Sequence, residues 1–447
     1  MPITRRLMAG LRDGIRDGRL PPGSALPPSR LLAAELGCSR WVVTEAYGQL
    51  VSEGYLEAIT GSATRVRDLG SSAPPMSALA APLERRPRFD LAPGIPDLDW
   101  VPRSRWADAY RRAVLGLETD LLSGRTLVAT TGPRHVLTDY LRRTRQVRED
   151  PTQIIPTTGA ADAVAWLSRL MARLGHQQVA VEDPSWPGLR DAARRSGLDL
   201  VPVGVDERGL RVEQLDDHPQ VRMVITTPAH QFPTGVPMSA DRRLALINWA
   251  QRVDGLIIED DYDAEFRYDR MAVASLQGMA PERVALVGSV SKSLSPAIGL
   301  GWLIMPQWLL MTIVADDLDR GVSPSAFLVE ALSIMIDSGW YERHLRTMRM
   351  RYRQRRQALV AAIADLLPDC RMSGSEAGLH LVLRLPPRLD AAAVAAEAEA
   401  YEVRVVPLDR YRLRPLDDPA LVIGFGNLTS GREREAVARL AHALRHG

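Results

Sequence analysis

Gly288-Ser289-Val290-Ser291-Lys292-Ser293-Leu294-Ser295-Pro296 carries the only lysine of the 447-residue chain. Lysine and arginine together number 56, so the other 55 basic residues are arginines. A general preference for arginine accounts for the surface charges. It does not account for the exception. Arginine replaces lysine in most ion pairs and on solvated faces, but guanidinium stays protonated and cannot act as an amine nucleophile. A lysine kept where all others have become arginine points to amine chemistry, first of all a Schiff base with an aldehyde.

Working outward from Lys292, short apolar runs rich in β-branched residues recur at Val179 to Glu182, Val221 to Thr227, Leu256 to Glu259 and Val284 to Val287. Helical stretches separate most of them. Such alternation predicts an α/β fold with a mainly parallel sheet covered on both faces. Functional groups then gather at the carboxyl ends of strands, and Asp260-Asp261-Tyr262 and Ser289 to Lys292 stand at such places. Beyond about residue 322 the texture changes to an Arg-rich helical stretch through Glu342 to Arg356, then Leu379 to Leu385, an Ala-rich helix, Val403 to Val406, Leu421 to Phe425 and a terminal helix. This predicts a smaller α+β part, about 323–447, following a large part, about 89–322.

Residues 69–88 are rich in Ser, Ala and Pro without apolar periodicity and read as a linker. Before them, 1–68 is a run of short helical patterns with a strand-like tail. Three units agree with the length, which exceeds one typical core. A net charge of +2 excludes a bulk polyelectrolyte, so any nucleic-acid contact must come from a local patch. Cys38 and Cys370 lie far apart and form no metal-ligand spacing, as in a cytoplasmic protein with free thiols. No run of 18 apolar residues and no hydrophobic stretch behind a basic start predicts a membrane span or signal peptide.

In the N-terminal region, Ser29 to Leu36 reads as a short helix stopped at Gly37. Ser39 stands where it can cap the next helix, whose apolar positions Val42, Val43, Ala46, Leu50 and Val51 have helical spacing. Helix, tight turn and helix form a helix-turn-helix. Gly54 to Val66 then reads as a hairpin turning at Thr60-Gly61-Ser62, a wing. Residues 1–68 hold nine arginines against seven carboxylates, which alone leaves a protein-binding module open. Ser-Arg at both helix starts favours a phosphate partner, since the helix dipole opposes a cation there.

The remaining motifs narrow the lysine's aldehyde to pyridoxal 5′-phosphate (PLP), which needs an imine-forming lysine, an acid for the pyridine nitrogen, a phosphate cradle and a flat face against the ring. Asp260 follows a buried strand and supplies the acid; Tyr262 supplies a hydroxyl for the ring oxygen. A metal site at the neighbouring carboxylates is disfavoured because no histidine lies nearby in sequence. Thr157-Thr158-Gly159-Ala160-Ala161-Asp162 enters an apolar helix, and such a turn presents N–H groups and a positive dipole end to phosphate. An ordinary helix cap would look the same. Ser289 and Ser291 add hydroxyls. Trp186, in Glu182-Asp183-Pro184-Ser185-Trp186-Pro187-Gly188, is the candidate stacking face, although a lone tryptophan is more often core.

Two resemblances follow from these motifs. Gly18-Arg19-Leu20, Pro22-Gly23, Leu26-Pro27, Ser29-Arg30, Ser39-Arg40, Ala46-Tyr47 and Glu53-Gly54-Tyr55-Leu56 resemble the winged helix-turn-helix of the GntR family of bacterial regulators over about 65 residues. The resemblance implies contacts to a double-stranded DNA operator from Arg30, Ser39, Arg40 and Thr44, with Thr60, Gly61 and Ser62 at the wing tip; Trp41 occupies a place where a smaller polar residue is more usual. Glu182-Asp183-Pro184, Thr227 to Gly235, Ile258 to Tyr268 and Ser291-Lys292-Ser293-Leu294 resemble fold-type I aminotransferases, and more closely the MocR subfamily, which joins the two modules. That resemblance implies a head-to-tail homodimer. It carries over Lys292 as the imine lysine, Asp260 at the pyridine nitrogen, Tyr262 at the ring hydroxyl, Gly159, Ala160, Ala161 and Ser289 at the phosphate, and Trp186 at the ring face.

Three positions depart from the enzymes. Phe232 replaces the asparagine common before Pro-Thr-Gly, Gly299 stands where many have a phosphate-binding arginine, and Val422 aligns with the arginine that holds a substrate carboxylate. Three functions remain in view: a PLP-dependent transcription regulator that senses PLP or an amine effector, an aminotransferase with an attached DNA-binding domain, and a regulator whose large domain has lost the cofactor.

Overall fold

The computed structural model describes residues 3–58, 63–68, 87–123, 131–148, 150, 153–268, 274–313 and 323–446. The chain falls into two compact units, Met1–Arg85 and Arg86–Gly447.

The N-terminal unit contains α1 (Ile3–Arg16), α2 (Ser29–Glu35) and α3 (Arg40–Ser52), then the antiparallel strands β1 (Leu56–Glu57) and β2 (Arg65–Val66). Val43, Ala46 and Leu50 are fully buried at the expected helical spacing, and Val42 and Val51 are half-buried. Val43, Tyr47 and Leu50 pack with Leu26, Ala33, Leu56 and Val66. Each large apolar side chain so buried contributes about 1.5–3 kcal/mol before the entropy of ordering it. The Tyr47 hydroxyl donates to Pro27 O at 2.9 Å, tying α3 to the chain before α2. Ser39 occupies the N-cap of α3, but its side chain makes no capping bond. The cap expected from the sequence is therefore positional only. The turn predicted at Thr60-Gly61-Ser62 lies outside the described residues, as does most of the stretch read as a linker.

The C-terminal unit opens with β3 (Phe89–Asp90) and α4 (Arg103–Gly116), followed by α5 (Thr131–Arg145). Next come β4 (Ile154–Thr157), α6 (Ala160–Arg173), β5 (Gln178–Asp183), α7 (Pro187–Arg195), β6 (Asp199–Asp206) and β7 (Gly209–Leu210). The sheet is completed by β8 (Met223–Thr226), β9 (Leu256–Asp260), β10 (Val284–Ser289) and β11 (Gly301–Ile304), with α8 (Ala240–Arg252) between β8 and β9. Its order is β4-β11-β10-β9-β8-β5-β6-β7. The pairs from β10 through β6 are parallel, and the edges are antiparallel. Side chains alternate between two covers: Leu256 and Ile258 join one apolar cluster, and Ile257 joins another. This period-two burial on both faces is why the strands read as unbroken apolar runs.

Beyond the sheet lie α9 (Ala326–Asp337) and the 27-residue α10 (Trp340–Leu366). A second sheet of four strands uses β12 (Arg371–Ser373), β13 (His380–Arg384), β15 (Val406–Pro407) and β16 (Ala420–Gly424). Between β13 and β15 the chain forms α11 (Ala391–Ala400) and β14 (Val403–Arg404); α12 (Glu433–His446) closes it. β14 pairs in parallel with β3, so Phe89 and Asp90 at the start of the unit are built into its C-terminal part. The sequence reading grouped them with the large part because pairing over 300 residues leaves no local mark. Arg355 of α10 is 3% exposed; it ion-pairs with Asp97 and donates to Gly426 O at 2.6 Å. Among the described residues no helix is long and apolar enough to cross a membrane.

Candidate functional site

The carboxyl ends of the parallel strands present a row of polar groups: Asp183 ending β5, Thr226 and Thr227 at the end of β8, Asp260 ending β9 and Ser289 ending β10. Lys292 follows β10 by three residues. Its Nζ donates to Gly94 O at 2.6 Å. Burial lowers its pKa, against which Asp260 and then Asp263 act. Gly94 has φ +84°, and a Cβ there would lie 3.2 Å from Nζ. The loop before α4 can therefore reach the lysine only with glycine at this position. Sequence reasoning missed Gly94; the turn signal in Pro93-Gly94-Ile95-Pro96 was its only local trace.

Asp260 is buried, and its Oδ1 has no hydrogen-bond partner among the described residues. Burial pushes its pKa up to about 8; the charge of Asp261 adds to this, and Lys292 opposes it. An orphaned buried carboxylate oxygen costs a few kcal/mol unless something arrives to pair with it. Asp261 is committed elsewhere, ion-paired with the buried Arg145.

Tyr262 lies beside Asp260. Its hydroxyl is 2.9 Å from His230 Nδ1, which is 2.8 Å from Asp263 Oδ2. Burial, followed by Asp263, raises the phenol well above its ordinary pKa. This corrects the expectation that no histidine lies near these carboxylates. His230 and His380 are remote in sequence but adjacent in space, and one ligand atom from each of His230, Asp263 and His380 lies within 4.8 Å of the others. Hydrogen bonds already engage the trio: His230 serves Tyr262 and Asp263, and His380 Nε2 is 3.0 Å from Pro233 O.

Glu182 fixes the loop that carries Phe232. It accepts from the Thr226 hydroxyl at 2.5 Å, the Thr227 hydroxyl at 2.7 Å and Gln231 Nε2 at 3.1 Å. Phe232 packs edge-on against Tyr262, His380 and Tyr411. It shares an apolar cluster with Val422, which is fully buried. Trp186, 42% exposed, caps α7 and lines a small recess with Glu182, Thr227 and Phe232. A Cβ at Gly188 would fall 2.6 Å from its ring, so the indole rests over the first turn of α7.

Gly159 caps α6 with φ +144°, a conformation that favours glycine. Ala160 and Ala161 form the first turn, whose N–H groups have no intrahelical acceptor. β11 approaches this turn closely: a Cβ at Gly301 would be 3.0 Å from Gly159 Cα. Ser289 is buried at the end of β10. Gly299 adopts φ +62°, a left-handed conformation that an arginine takes only with strain.

In the N-terminal unit, Arg30, Ser39, Arg40 and Thr44 are all exposed, around the starts of α2 and α3. Arg40 Nε reaches Ser29 Oγ at 3.4 Å, and the Thr44 hydroxyl donates to Arg40 O at 3.0 Å. Trp41 beside them is 68% exposed.

Family models match both units: "Bacterial regulatory proteins, gntR family" over residues 3–66, and "Aminotransferase class I and II" over 120–440. The chain belongs to the MocR-type GntR-family transcriptional regulators, in which a DNA-binding winged helix precedes an aminotransferase-like domain. The HTH-type pyridoxine biosynthesis transcriptional regulator PdxR of Corynebacterium glutamicum is 32% identical over 100% of this chain and 96% of its own. The probable rhizopine catabolism regulatory protein MocR of Rhizobium meliloti is 30% identical over 99% and 94%. An archaeal alanine:glyoxylate aminotransferase shares the fold, with a TM-score of 0.74 at 23% identity, covering 83% of this chain and 93% of that one.

PLP is the cofactor of the aminotransferase class I and II family, and the residues present fit it. Asp260 Oδ1 has no partner among the described residues, Lys292 offers a half-buried amine, and a helix N-terminus opens near Ser289.

Proposed function

We propose that this regulator holds PLP on Lys292 and uses it to sense either PLP itself or an amine effector. The observation that carries the reading is the single lysine of the chain, half-buried within the field of Asp260, whose Oδ1 lacks a partner among the described residues. When bound, PLP supplies an electrophilic aldehyde carbon and a ring that withdraws electrons. The chain's own residues do the rest. Asp260 holds a proton at the ring nitrogen, Tyr262 donates to the ring hydroxyl, and Gly159, Ala160, Ala161 and Ser289 receive the phosphate. Trp186 covers the ring. With glycine at 299, the phosphate relies on the α6 N-terminus and hydroxyls rather than on a guanidinium there.

The DNA reading assigns α3 to the major groove of a double-stranded operator, with Arg30, Ser39, Arg40 and Thr44 contacting it and Thr60, Gly61 and Ser62 at the wing tip. The division 1–68, 69–88 and 89–447 is the corresponding domain plan. A cytoplasmic, head-to-tail homodimer is the working form. Effector binding changes DNA affinity only by favouring one arrangement of that dimer over another. The apolar packing of Phe232 on the cluster containing Val422 supports sensing rather than amino-acid turnover, because valine rather than arginine stands at 422.

The test is a visible spectrum of the purified protein with added PLP, borohydride reduction and peptide mapping, alongside operator binding with and without PLP. A trapped adduct on Lys292 and a PLP-dependent change in operator affinity are expected. An adduct elsewhere, or steady conversion of an amino acid and a keto acid, overturns the reading.

A further inference from the structure

A concentration of unbalanced charge lies away from the strand ends. A cavity of about 570 Å³ opens between the end of α5, the segment after β9 and one face of α10. Six arginines line it, Arg143, Arg145, Arg267, Arg346, Arg349 and Arg353, against two carboxylates, Glu265 and Glu342. Arginine itself is no signal in this chain; imbalance is. Many exposed arginines elsewhere pair with neighbouring carboxylates, as Arg111 does with Asp108, Arg194 with Asp191 and Arg434 with Asp365, and, among the described residues, those that do not are not gathered around one cavity with a buried guanidinium on its floor. Here Arg143 pairs with Glu342 at 3.1 Å, and Arg349 Nε donates to Glu265 O at 2.9 Å. Arg346 and Arg353, seven residues apart on the same face of α10, have no partner among the described residues. On the floor, Arg145 is 8% exposed, and its Nη2 has no hydrogen-bond acceptor, only Glu265 at 3.5 Å.

We propose that this cavity is a second ligand site, taking a small organic phosphate. Guanidinium forks match phosphate oxygens in pairs. The volume suits a small ligand, and Leu345, Met350 and Tyr268 offer an apolar wall for its organic part. A duplex backbone does not reach a guanidinium recessed on the floor. Arg145 also grips Asp261, the residue next to Asp260. A phosphate that draws on Arg145 thus alters the field at the cofactor's acid. That coupling rests on the PLP reading; the binding itself does not.

The experiment is calorimetric titration of phenyl phosphate into full-length protein whose PLP has been reduced onto Lys292, so that the strand-end site is filled. Protein that takes up no PLP is titrated as purified, with the same variants. The variants are Arg346→Gln with Arg353→Gln, and, as an equal loss of charge elsewhere, Arg388→Gln with Arg434→Gln. Thermal melts verify that each remains folded. One phenyl phosphate per chain is expected, weakened by about tenfold or more for each lost cavity arginine and unchanged in the control pair. Absence of binding to the unsubstituted chain, equal binding by the cavity variant, or equal weakening in the control pair overturns the proposal. So does a cavity variant that loses only affinity for non-specific duplex DNA.

Discussion

Replacing Asp260 with asparagine isolates the chemistry that the site demands. Burial and the adjacent Asp261 carry the Asp260 pKa from 3.8 to about 8. At about 1.4 kcal/mol per pH unit, that four-unit rise is a bias of about 6 kcal/mol against the ionised form in the absence of PLP. Near neutral pH the empty site therefore holds a protonated acid, which can share its proton with the ring nitrogen without uptake from solvent. Above pH 8 the empty site has lost that proton and must recover it to bind. PLP affinity then falls with rising pH, towards tenfold per unit. Asp260→Asn removes this proton, so the corresponding slope disappears. It also exchanges a charge-assisted hydrogen bond for a neutral one, a loss of about 1–2 kcal/mol, or roughly five- to thirtyfold in affinity at pH 7. Lys292 titrates in both proteins, and Asp260→Asn lowers its pKa further by removing the charge that opposes burial there, so the amine is deprotonated earlier in the variant and adds no falling limb above pH 8. The assay is a PLP titration by absorbance at several pH values between 6.5 and 9.5. Parallel affinity curves for the two proteins above pH 8, or equal affinity at pH 7, would refute the argument.

Lys292→Ala should abolish the visible band of bound PLP while leaving the melting temperature of the PLP-free protein nearly unchanged; a retained band would remove Lys292 from the site. Arg40→Ala should weaken operator binding and reduce the slope of log affinity against log salt by about one, as for one lost phosphate contact; identical slopes would place Arg40 off the DNA. Arg355→Met leaves the buried Asp97 with only the more distant guanidinium of Arg351, at 3.5 Å, and should cost about 3–5 kcal/mol in denaturant unfolding; a change below 1 kcal/mol would show that Arg351 takes over the pairing. Burial depresses the His380 pKa from 6.5 to about 3. Between those values the unfolded chain binds a proton that the folded chain refuses, so stability is lost as pH falls from 6.5 towards 3, by at most about 5 kcal/mol. Glu259, raised to about 7, contributes with the opposite sign, so the test is the difference between the parent and His380→Gln. Identical acid profiles would refute it.

Local signals located most elements and left their distant partners hidden. The four apolar runs became β5, β8, β9 and β10 because each strand is buried on both faces, which demands apolar residues at every step. The Arg-rich stretch was legible as a helix, but its charges were not. Arg355 is buried against Asp97, 258 residues away, while Arg353 two positions earlier is exposed. A period of 3.6 says which residues share a face; it does not say that a carboxylate from before α4 waits beneath one of them. Asp260 and Lys292 were legible because one ends a strand and the other is unique. The His230–Asp263 pair that supports Tyr262 was not, since a single histidine in a loop carries no mark of its partner. Gly94 was hidden for the same reason: nothing local marks that Lys292 lies against it.

Two of the three positions that depart from an aminotransferase form one physical arrangement rather than separate losses. Phe232 and Val422 lie in the same apolar cluster, with Tyr262 packed against its margin. Restoring an arginine at 422 alone would bury a guanidinium among Phe232, Leu408 and Tyr411, without a carboxylate to pair it unless substrate were bound. Restoring the asparagine at 232 alone would exchange a packed ring for an amide against Val422 and Val382. Either single exchange is penalised by the other residue, so the apolar arrangement is held by packing. Tyr262 then depends on His230 and Asp263 for its polar surroundings, because the neighbouring loop presents a phenyl ring where the enzymes place an amide. Exchanging both positions together, Phe232→Asn with Val422→Arg, should therefore be better tolerated than the sum of the single exchanges in denaturant unfolding, by about 0.5–3 kcal/mol. Strict additivity would show that the two residues are independent and that the cluster does not couple them.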